Sequence, residues 1–362
     1  MGRMLIQSAI DFNLEISILD PDPSAPCSLI AHKFVHGEFT DYQTVLDFGR
    51  NCQLVTLEIE NVNTEALKQL VREGTRVWPQ PEIIELIQDK CLQKKFFQDH
   101  NIPTAEFVLV EDSKEALGYE HMLPAFFKLG KAGYDGRGVQ KLLKRDDFDD
   151  LLKGPGLLEK LVDFEKEISV IVARNQDGEI RTFPTVELVF NPQYHLVEYL
   201  FTPVLITIQQ EQEAQELARK IISELDMVGL LAIEMFVEKS GTIVVNEIAP
   251  RPHNSGHHTI EGNQTSQYQQ LWRAVLNWPL GSTASYGPTA MVNLLGEPGF
   301  QGPAVYDGLS EILAMDGVHI HLYGKKITKP FRKMGHVTLI ETEGQSLEEK
   351  ARIIKNHLKI IS

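Results

Sequence analysis

The chain has 362 residues, of which 43% are hydrophobic and 23% are charged, a balance typical of a globular protein with two or three domains. Its formal net charge of −15 argues against nucleic acid or an anionic membrane as the main partner, although local basic clusters could still bind small anions. Three dispersed cysteines without a CxxC pair and the lack of a long apolar run predict reduced thiols and no membrane span. Because the first ten residues show no secretion signal, we expect a cytoplasmic protein.

Helix-like and strand-like segments alternate along the chain, which favours α/β architecture. In chain order we predict a helix at 4–10, strands at 15–20 and 53–60, and helices at 65–73, 81–98, 209–225 and from about 346. Gly74 is placed to end the second of these helices, and Pro81 is favoured at the first position of the third. We predict an N-terminal α/β domain at 1–80, a central domain at 81–280 and a β-rich C-terminal domain at 281–362.

Two apolar runs rich in β-branched residues flank Ser240-Gly241 and predict a β-hairpin. With a loop of two or four residues Glu234 lies directly opposite Glu247, whereas a loop of three residues would break this register. Opposed carboxylates are destabilising unless a cation lies between them, and Mg²⁺ carrying nucleotide phosphates would suit such a pair. The alternative is a pair of solvated glutamates on an exposed face.

A glycine-rich run, Phe127-Lys-Leu-Gly-Lys-Ala-Gly-Tyr-Asp-Gly-Arg-Gly-Val139, lies between two strand-like segments. Its glycines leave backbone N–H groups free to surround an anion, and Lys128 ends the first strand where it could reach a phosphate. The run does not fit a P-loop, because no GxxxxGK[ST] occurs in the chain, nor a Rossmann fingerprint, because strand-like residues follow it. A plain surface turn remains the alternative.

Two further clusters could bind polar ligands. Glu159 ends one apolar run and Glu167 begins the next, so they could accept hydrogen bonds from an amine or ribose hydroxyls, or form an ordinary charged connection. Five cations at 325–333 are either a solvated face or an anion site, and the acidic background favours the anion site. Among His253, His257 and His258, a zinc site is disfavoured because the intervening residues are loop-like.

Together these motifs resemble the ATP-grasp superfamily in their order along the chain. The run at 246–257, Asn-Glu-Ile-Ala-Pro-Arg-Pro-His-Asn-Ser-Gly-His, is similar to the signature of the 5-(carboxyamino)imidazole ribonucleotide synthetase family, the ATP-dependent carboxylases of purine biosynthesis. The segments at 2–4, 56–62 and 332–336 also resemble that family, so the likeness covers essentially the whole chain. It implies an N-terminal parallel-sheet domain, a central ATP-grasp domain with a mobile lid at about 104–165, and a small β-rich C-terminal domain.

The resemblance also implies an activity, in which ATP and bicarbonate form carboxyphosphate and its carboxyl group passes to the amine of 5-aminoimidazole ribonucleotide. It implies ATP and Mg²⁺ as cofactors and a homodimer, with no nucleic acid or membrane partner. The implied catalytic residues are Arg251, His253, Asn254 and Lys128, and the metal ligands are Glu234 and Glu247. The implied ATP-binding residues are Lys90, Lys128, Gly133, Tyr134, Asp135, Gly136, Arg137, Gly138, Glu159, Lys160, Leu161, Val162, Glu167 and Asn246. The implied ribonucleotide-binding residues are Glu58, Glu60, Tyr134, Lys325, Arg332 and Lys333.

Three features depart from the family pattern. The family's first strand and its Gly-Gly-Gly-Gln-Leu turn would precede Gly2, and we expect a misassigned start codon or, second, a deletion. Glu187-Leu-Val-Phe190 replaces Glu-Asn-x-His, and Ala249 stands where many ATP-grasp enzymes have Asn. The alternatives in function are another ATP-grasp ligase, such as a formate-using purine transformylase, and a non-catalytic nucleotide-binding protein.

Overall fold

The computed structural model of the protein describes residues 1–131, 138–191, 196–343 and 345–362. Within these ranges, no helix is both long enough and apolar enough to cross a membrane. The fold is of the α+β class that the sequence predicts, with mixed helices and sheets and a C-terminal part rich in short strands.

The N-terminal part pairs four short strands in parallel, β1 with β2 and β3 with β4. Its elements are α1 (Gly2–Ile10), β1 (Ser17–Asp20), β2 (Lys33–His36), α2 (Tyr42–Gly49), β3 (Leu54–Val55), α3 (Thr64–Arg72) and β4 (Arg76–Val77). The predicted helices at 4–10 and 65–73 are confirmed, and Gly74 follows the second with a φ of 94°. The predicted strand at 53–60 is wrong beyond Val55, because the chain leaves the ladder there and turns its acidic side chains towards other elements.

The central part holds two sheets and the longest helix among the described residues. Its elements are α4 (Pro81–Gln88), α5 (Lys90–Asp99), β5 (Phe107–Val110), β6 (Ala125–Leu129), β7 (Val139–Leu142), β8 (Gly156–Lys160), β9 (Phe164–Arg174), β10 (Ile180–Thr182), β11 (Val186–Phe190), β12 (Val197–Thr202), α6 (Ile208–Glu224), β13 (Gly229–Glu238), β14 (Ile243–Ala249), α7 (Thr259–Gly262) and α8 (Gln267–Val275). The apolar stripe predicted at 209–225 is confirmed in α6, where it packs on β9, β13 and β14.

The single helix predicted at 81–98 is wrong, because two helices meet at Asp89. The Asp89 carboxylate accepts hydrogen bonds from the amides of Cys91 and Leu92 and so caps the second helix at its N-terminus. The Lys90 amide, at the start of α5, donates to the carbonyl of Gly130 at 2.8 Å. The break therefore fixes the beginning of α5 against the end of β6.

The C-terminal part continues the main sheet of the central part. Its elements are β15 (Thr289–Leu295), β16 (Gly302–Pro303), β17 (Val305–Asp307), α9 (Leu309–Leu313), β18 (Val318–Leu322), β19 (Ile327–Thr328), β20 (Lys333–Ile340), α10 (Leu347–His357) and β21 (Lys359–Ile361). Among the described residues the main sheet has nine strands in the order β14-β13-β9-β11-β12-β15-β20-β18, with β10 paired to β9, and a separate sheet has the order β5-β8-β6-β7. The predicted boundary at about 280 therefore crosses one continuous sheet, and the domain limits stay a prediction.

The segment after β14 lies across one face of the main sheet. Tyr268, Leu271 and Trp272 of α8 pack against Ala173 of β9 and Leu230 of β13. At its other side the same segment reaches β20, where the rings of His257 and His336 stack with centroids 4.5 Å apart. The segment thus brings residues that follow β14 next to the opposite half of the sheet.

Candidate functional site

Glu234 of β13 and Glu247 of β14 are directly opposed, as predicted, but the route to this register differs from the prediction. The hairpin loop has three residues, because Glu238 pairs with Thr242 through its amide and Gly241 takes a φ of 91°. Near the loop the ladder is therefore offset by one residue. A β-bulge at Asn246 restores the opposition, since Met235 pairs with Val245 and Glu234 pairs with Glu247.

Three carboxylates lie close together at this bulge and differ in their affinity for protons. Lys90 Nζ lies 3.0 Å from Glu247 Oε2 and holds the pKa of Glu247 down to about 2. Burial and the charge of Glu247 raise the pKa of Glu167 to about 8 and that of Glu234 well above its ordinary value. The site thus holds more carboxyl groups than its lysine can keep ionised, which fits a divalent cation bound by Glu234 and Glu247 with phosphate oxygens and water completing the ligand set.

His253 lies against Glu234 with its ring nitrogens in fixed roles. Its Nδ1 accepts from the Ser255 amide at 3.3 Å and lies 2.9 Å from Ser255 Oγ, while Nε2 lies 3.2 Å from Glu234 Oε1. Because Nδ1 is an acceptor, the proton of the neutral ring belongs on Nε2, the nitrogen that faces Glu234. Burial and the nearby Arg251 lower the pKa of His253 to about 3, so the ring is neutral near pH 7. Ser169 Oγ, 2.9 Å from Ser255 Oγ, extends the chain of hydrogen bonds into β9.

Asn254, next to this histidine, is buried at 8% exposure, and neither polar atom of its amide has a hydrogen-bond partner among the residues that the structure describes. A buried amide without a partner is costly, so this position favours a polar ligand. Asn254 thus follows directly after His253, the residue that faces Glu234.

Arg251 follows β14 and forms a two-pronged ion pair with Glu60 of the N-terminal part, through Nε and through NH2, the latter at 3.1 Å from Glu60 Oε1. The Glu60 backbone is fixed in turn by Gln88 Nε2, which donates to its carbonyl at 2.6 Å. The resemblance assigns Glu60 to the ribonucleotide, whereas here its carboxylate is engaged by Arg251. Lys90 and Arg251 thus both lie at the site, and each is paired with a carboxylate, Glu247 for Lys90 and Glu60 for Arg251.

Lys128, at the end of β6, donates to Glu159 Oε1 at 2.5 Å, and the other oxygen of Glu159 lies 2.5 Å from Lys94 Nζ. The resemblance implies that Glu159 binds the adenine of ATP, and in the structure this residue is 4% exposed with its carboxylate facing these two lysines. The backbone beyond it is tied to neighbouring segments, since the Lys160 and Leu161 amides donate at 2.9 Å to the carbonyls of Glu106 and Pro124. Lys94 is a residue that the sequence reasoning missed.

Part of the predicted nucleotide site lies outside the described residues, namely Gly133, Tyr134, Asp135, Gly136 and Arg137. Gly138 is described, with a φ of 71° and a carbonyl that accepts from the Leu129 amide at 2.9 Å. Val162 and Asn246 are partly exposed beside the site strands.

The predicted ribonucleotide residues gather near β18 and β20. Lys325 Nζ donates to the carbonyl of Lys333 at 2.8 Å and lies 5.8 Å from the centre of the Tyr323 ring. Burial and the charge of Arg332 lower the pKa of Lys325 to about 8. Arg332 NH1 donates to the Ile327 carbonyl at 2.8 Å. Lys325, Arg332 and Lys333 are thus partly buried, whereas Lys326 and Lys329 of the same basic run are exposed.

Glu58 lies near this cluster, and its Oε1 accepts from the amide of Gly2 at 3.0 Å, at the start of α1. Its charge affects the pKa of Lys325 and that of Tyr323, so the three groups lie near one another. The structure therefore groups Glu58 with Lys325 and places Glu60 elsewhere, on Arg251.

A stack of three buried or half-buried imidazoles, which the sequence reasoning did not predict, lies behind these groups. The ring of His336 stacks on His257 and on His321, with centroids 4.5 Å apart in both pairs. Tyr268 OH lies 2.6 Å from His257 Nδ1, Tyr323 OH lies 3.0 Å from His336 Nδ1, and Glu261 Oε1 lies 2.7 Å from His321 Nε2. No sequence signal could pair these histidines, because they come from segments far apart in the chain.

The sheet pairing, the opposed glutamates and the lysines around them define the ATP-grasp class of enzymes. A model of the ATP-grasp domain matches residues 95–268, a model of the ribonucleotide synthetase preATP-grasp domain matches 1–88, and a model of the phosphoribosylaminoimidazole carboxylase C-terminal domain matches 289–350. Within that class, the chain belongs to the N5-carboxyaminoimidazole ribonucleotide synthase family, as the relatives show.

The N5-carboxyaminoimidazole ribonucleotide synthase of Brucella melitensis is 35% identical over 94% of this chain and 94% of the relative. The chloroplastic phosphoribosylaminoimidazole carboxylase of Vigna aconitifolia is 33% identical over 98% of this chain, which spans 65% of that longer protein.

Solved structures agree with these relatives. The N5-carboxyaminoimidazole ribonucleotide synthetase of Thermotoga maritima has a TM-score of 0.91 and 39% identity, covering 100% of this chain and 96% of its own. A synthase from Aspergillus clavatus, solved with ADP and 5-aminoimidazole ribonucleotide, has a TM-score of 0.86 and 32% identity, with coverage of 98% and 94%.

Proposed function

We propose that this chain is an ATP-grasp ligase that carboxylates 5-aminoimidazole ribonucleotide with bicarbonate, giving 5-(carboxyamino)imidazole ribonucleotide, ADP and phosphate in purine biosynthesis. The observation that carries the proposal is the grouping of Arg251, His253 and the unpartnered Asn254 beside the opposed Glu234 and Glu247. This places anion-binding groups where a phosphoryl group would be delivered. Family membership and the ADP and ribonucleotide complex of the Aspergillus relative support the same reaction.

In the first step a bicarbonate oxygen bonds to the γ-phosphorus of ATP, and the bond from that phosphorus to the β,γ-bridging oxygen breaks. The products are carboxyphosphate and ADP. Lys90 and Lys128 would hold the phosphates, and Glu234 and Glu247 would hold Mg²⁺, which when bound neutralises charge on the transferring phosphoryl group. Phosphoryl transfer needs positioned charges more than covalent help, so this set of side chains is sufficient.

Bicarbonate would lie against Arg251, whose planar guanidinium suits a planar oxyanion, and against the amide of Asn254. The neutral His253 would donate a hydrogen bond from Nε2, where its proton lies, to Glu234. Glu60 would keep the guanidinium of Arg251 in place. Carboxyphosphate hydrolyses readily, so the site must exclude water at this stage.

In the second step the amine nitrogen of the ribonucleotide bonds to the carboxyl carbon, the bond from that carbon to the phosphate oxygen breaks, and the amine loses a proton. Lys325, Arg332 and Lys333 would hold the ribonucleotide phosphate, with Glu58 nearer the ring. Lys325 carries its charge below its pKa of about 8, and a bound phosphate would raise that pKa.

We also propose finer properties in keeping with the family. The metal would be Mg²⁺, the protein would form a homodimer, and it would work in the cytoplasm, where its three free cysteines would stay reduced. Light scattering of the purified protein would test the homodimer, and a monomer at micromolar concentration would contradict it. Removal of divalent cations with a chelator should abolish ATP turnover, and added Mg²⁺ should restore it.

The experiment that tests the function is phosphate release from ATP with bicarbonate present, with and without 5-aminoimidazole ribonucleotide. Strong stimulation by the ribonucleotide, with carboxylated product equal to the phosphate released, is expected. Turnover that needs formate in place of bicarbonate would instead indicate a transformylase, and nucleotide binding without any turnover would indicate a non-catalytic protein.

A matched pair of variants tests the metal ligands. Glu247→Ala should abolish ATP turnover while leaving the fold intact, because the remaining glutamate cannot bind the cation alone. Glu224→Ala, which removes a glutamate that pairs with His100 on the surface, should leave turnover unchanged. Undiminished turnover of Glu247→Ala would refute the assignment of Glu247 to the metal.

A further inference from the structure

We propose that Lys94, a buried lysine of α5, is a positioning residue of the nucleotide site that neutralises Glu159 and so leaves the charge of Lys128 available to phosphate. The proposal rests on the proposed ATP site. It gives Glu159 a role in the support of a phosphate-binding lysine.

Lys94 is buried and has polar partners on neighbouring segments. Its side chain is 3% exposed, its Nζ lies 2.5 Å from Glu159 Oε2, and it donates to Thr104 Oγ1 at 2.5 Å. The hydroxyl of Thr104 donates in turn to the carbonyl of Val245 at 2.7 Å. Val245 lies on β14 just before the bulge, so Lys94 links α5, β8 and the strand that carries Glu247.

Lys94 changes the net charge of the group that it forms with Glu159 and Lys128. Burial and the charge of Lys128 lower the pKa of Lys94, and the ion pair with Glu159 opposes this shift. With both lysines protonated and Glu159 ionised, the three groups together keep one positive charge. Lys94 is enclosed, whereas the side chain of Lys128 is more exposed, so the surplus charge faces the site at Lys128. Without Lys94, Glu159 and Lys128 would form a neutral pair, and binding of phosphate would have to compete with that pair.

Stability alone does not account for this lysine. Burying a charged pair costs desolvation energy that its attraction often fails to repay, and an apolar residue of similar size is commonly as stable. Although burial favours the neutral acid, Lys128 and Lys94 together hold the pKa of Glu159 below its ordinary value, so the carboxylate stays charged. A role in keeping Lys128 available to phosphate explains why a cation lies here.

The test compares ADP affinity, measured by titration calorimetry, in four proteins. Relative to wild type, Lys94→Met should weaken ADP binding by on the order of tenfold, the effect of losing roughly one charge-assisted contact. The control Lys95→Met removes the neighbouring lysine, which is exposed and pairs with Asp99, and should bind ADP like wild type. The double variant Lys94→Met/Glu159→Gln removes both charges, leaves Lys128 with its own charge, and should regain most of the affinity.

Equal ADP affinity in Lys94→Met and wild type would overturn the proposal, and so would a double variant that binds no better than Lys94→Met. If Lys94→Met does not fold, the double variant decides alone, and near wild-type affinity is then the supporting result. Absence of ADP binding by the wild type would instead refute the proposed function. In turnover assays the expected change is a higher KM for ATP with an unchanged KM for the ribonucleotide, which a loss of stability would not produce.

Discussion

At the scale of single residues, His253 shows how local contacts decide a chemical role. The Ser255 amide and hydroxyl occupy Nδ1, and the neutral ring presents an N–H to Glu234. A histidine held this way acts as a hydrogen-bond donor and is a poor general base, because its pKa is near 3.

The first prediction separates these two roles. The amide nitrogen of Gln can occupy the place of Nε2, whereas that of Asn lies nearer Nδ1. We expect His253→Gln to keep kcat within about tenfold of wild type, and His253→Asn to lower kcat by about 10–100-fold, the usual effect of losing a partner of a metal ligand. Steady-state kinetics decides, and an equal loss in both variants would point to proton transfer by the imidazole.

The second prediction concerns pH. Because the pKa of Lys325 is lowered to about 8, its charge is present below that pH and is lost as the pH rises through it. We expect kcat/KM for the ribonucleotide to fall above about pH 8, since this ratio reports ionisations of the free enzyme. Arginine keeps its charge in that range, so Lys325→Arg should flatten the fall. A decline of the same midpoint and depth in the arginine variant would assign the ionisation to another group.

At the scale of elements, the hairpin of β13 and β14 shows how a loop and a bulge together set the register of two strands. A three-residue loop offsets the ladder, and the bulge at Asn246 returns Glu247 to its place opposite Glu234. Deletion of Asn246 would keep every pair on both sides of the bulge while removing the local bend that aims Glu247 at Lys90.

The third prediction compares that deletion with Asn246→Ala, which keeps the bulge and removes only the amide. We expect both proteins to fold, with the deletion raising KM for ATP by on the order of tenfold and the alanine variant raising it less. KM measurements and thermal unfolding of both proteins test this. Identical KM values for the two variants would show that the bend has no part in nucleotide binding.

Much of the fold and of the site was predictable from the sequence, because helix ends and the opposed glutamates depend on local patterns. Gly74 and Pro81 marked helix limits, and the β-branched runs marked the hairpin. The break at Asp89 was missed because no Gly or Pro lies there to mark it. In sequence, an aspartate that caps a helix cannot be told from one inside a helix. The bulge, the buried Lys94 and the engagement of Glu60 by Arg251 depend on tertiary contacts that no local pattern encodes.

At the scale of the whole molecule, the histidine stack joins the segment after β14 to β18 and β20. Burial and neighbouring charges lower the pKa values of His257 and His336 well below the ordinary value of 6.5. The stack is faced by Tyr268, by Tyr323 and by Glu261, whose carboxyl group is hydrogen-bonded to His321. Two adjacent rings 4.5 Å apart cannot both carry charge at low cost.

The fourth prediction follows from linkage. The unfolded chain binds protons on these histidines near pH 6.5 and the folded chain does not, so stability is full above that pH and falls as the pH drops below it. Each such histidine adds about 1.4 kcal/mol of lost stability per pH unit in that range. His336→Phe keeps a ring in the stack and should reduce the slope of unfolding free energy against pH by about one proton. Denaturant titrations at pH 5–7 test it, and an unchanged slope would contradict it.

The order of strands in the main sheet has one more consequence. Five strand spacings separate β13 from β20, roughly 24 Å if the sheet were flat. Yet Lys333 at the start of β20 acts electrostatically on Glu234 of β13, and from this we expect the sheet to curl and bring these strands towards each other. The strands between them would then set the distance between the proposed ATP and ribonucleotide sites. Substitutions in β11, β12 or β15 that alter this curvature should leave each substrate's affinity intact and uncouple ATP consumption from carboxylation.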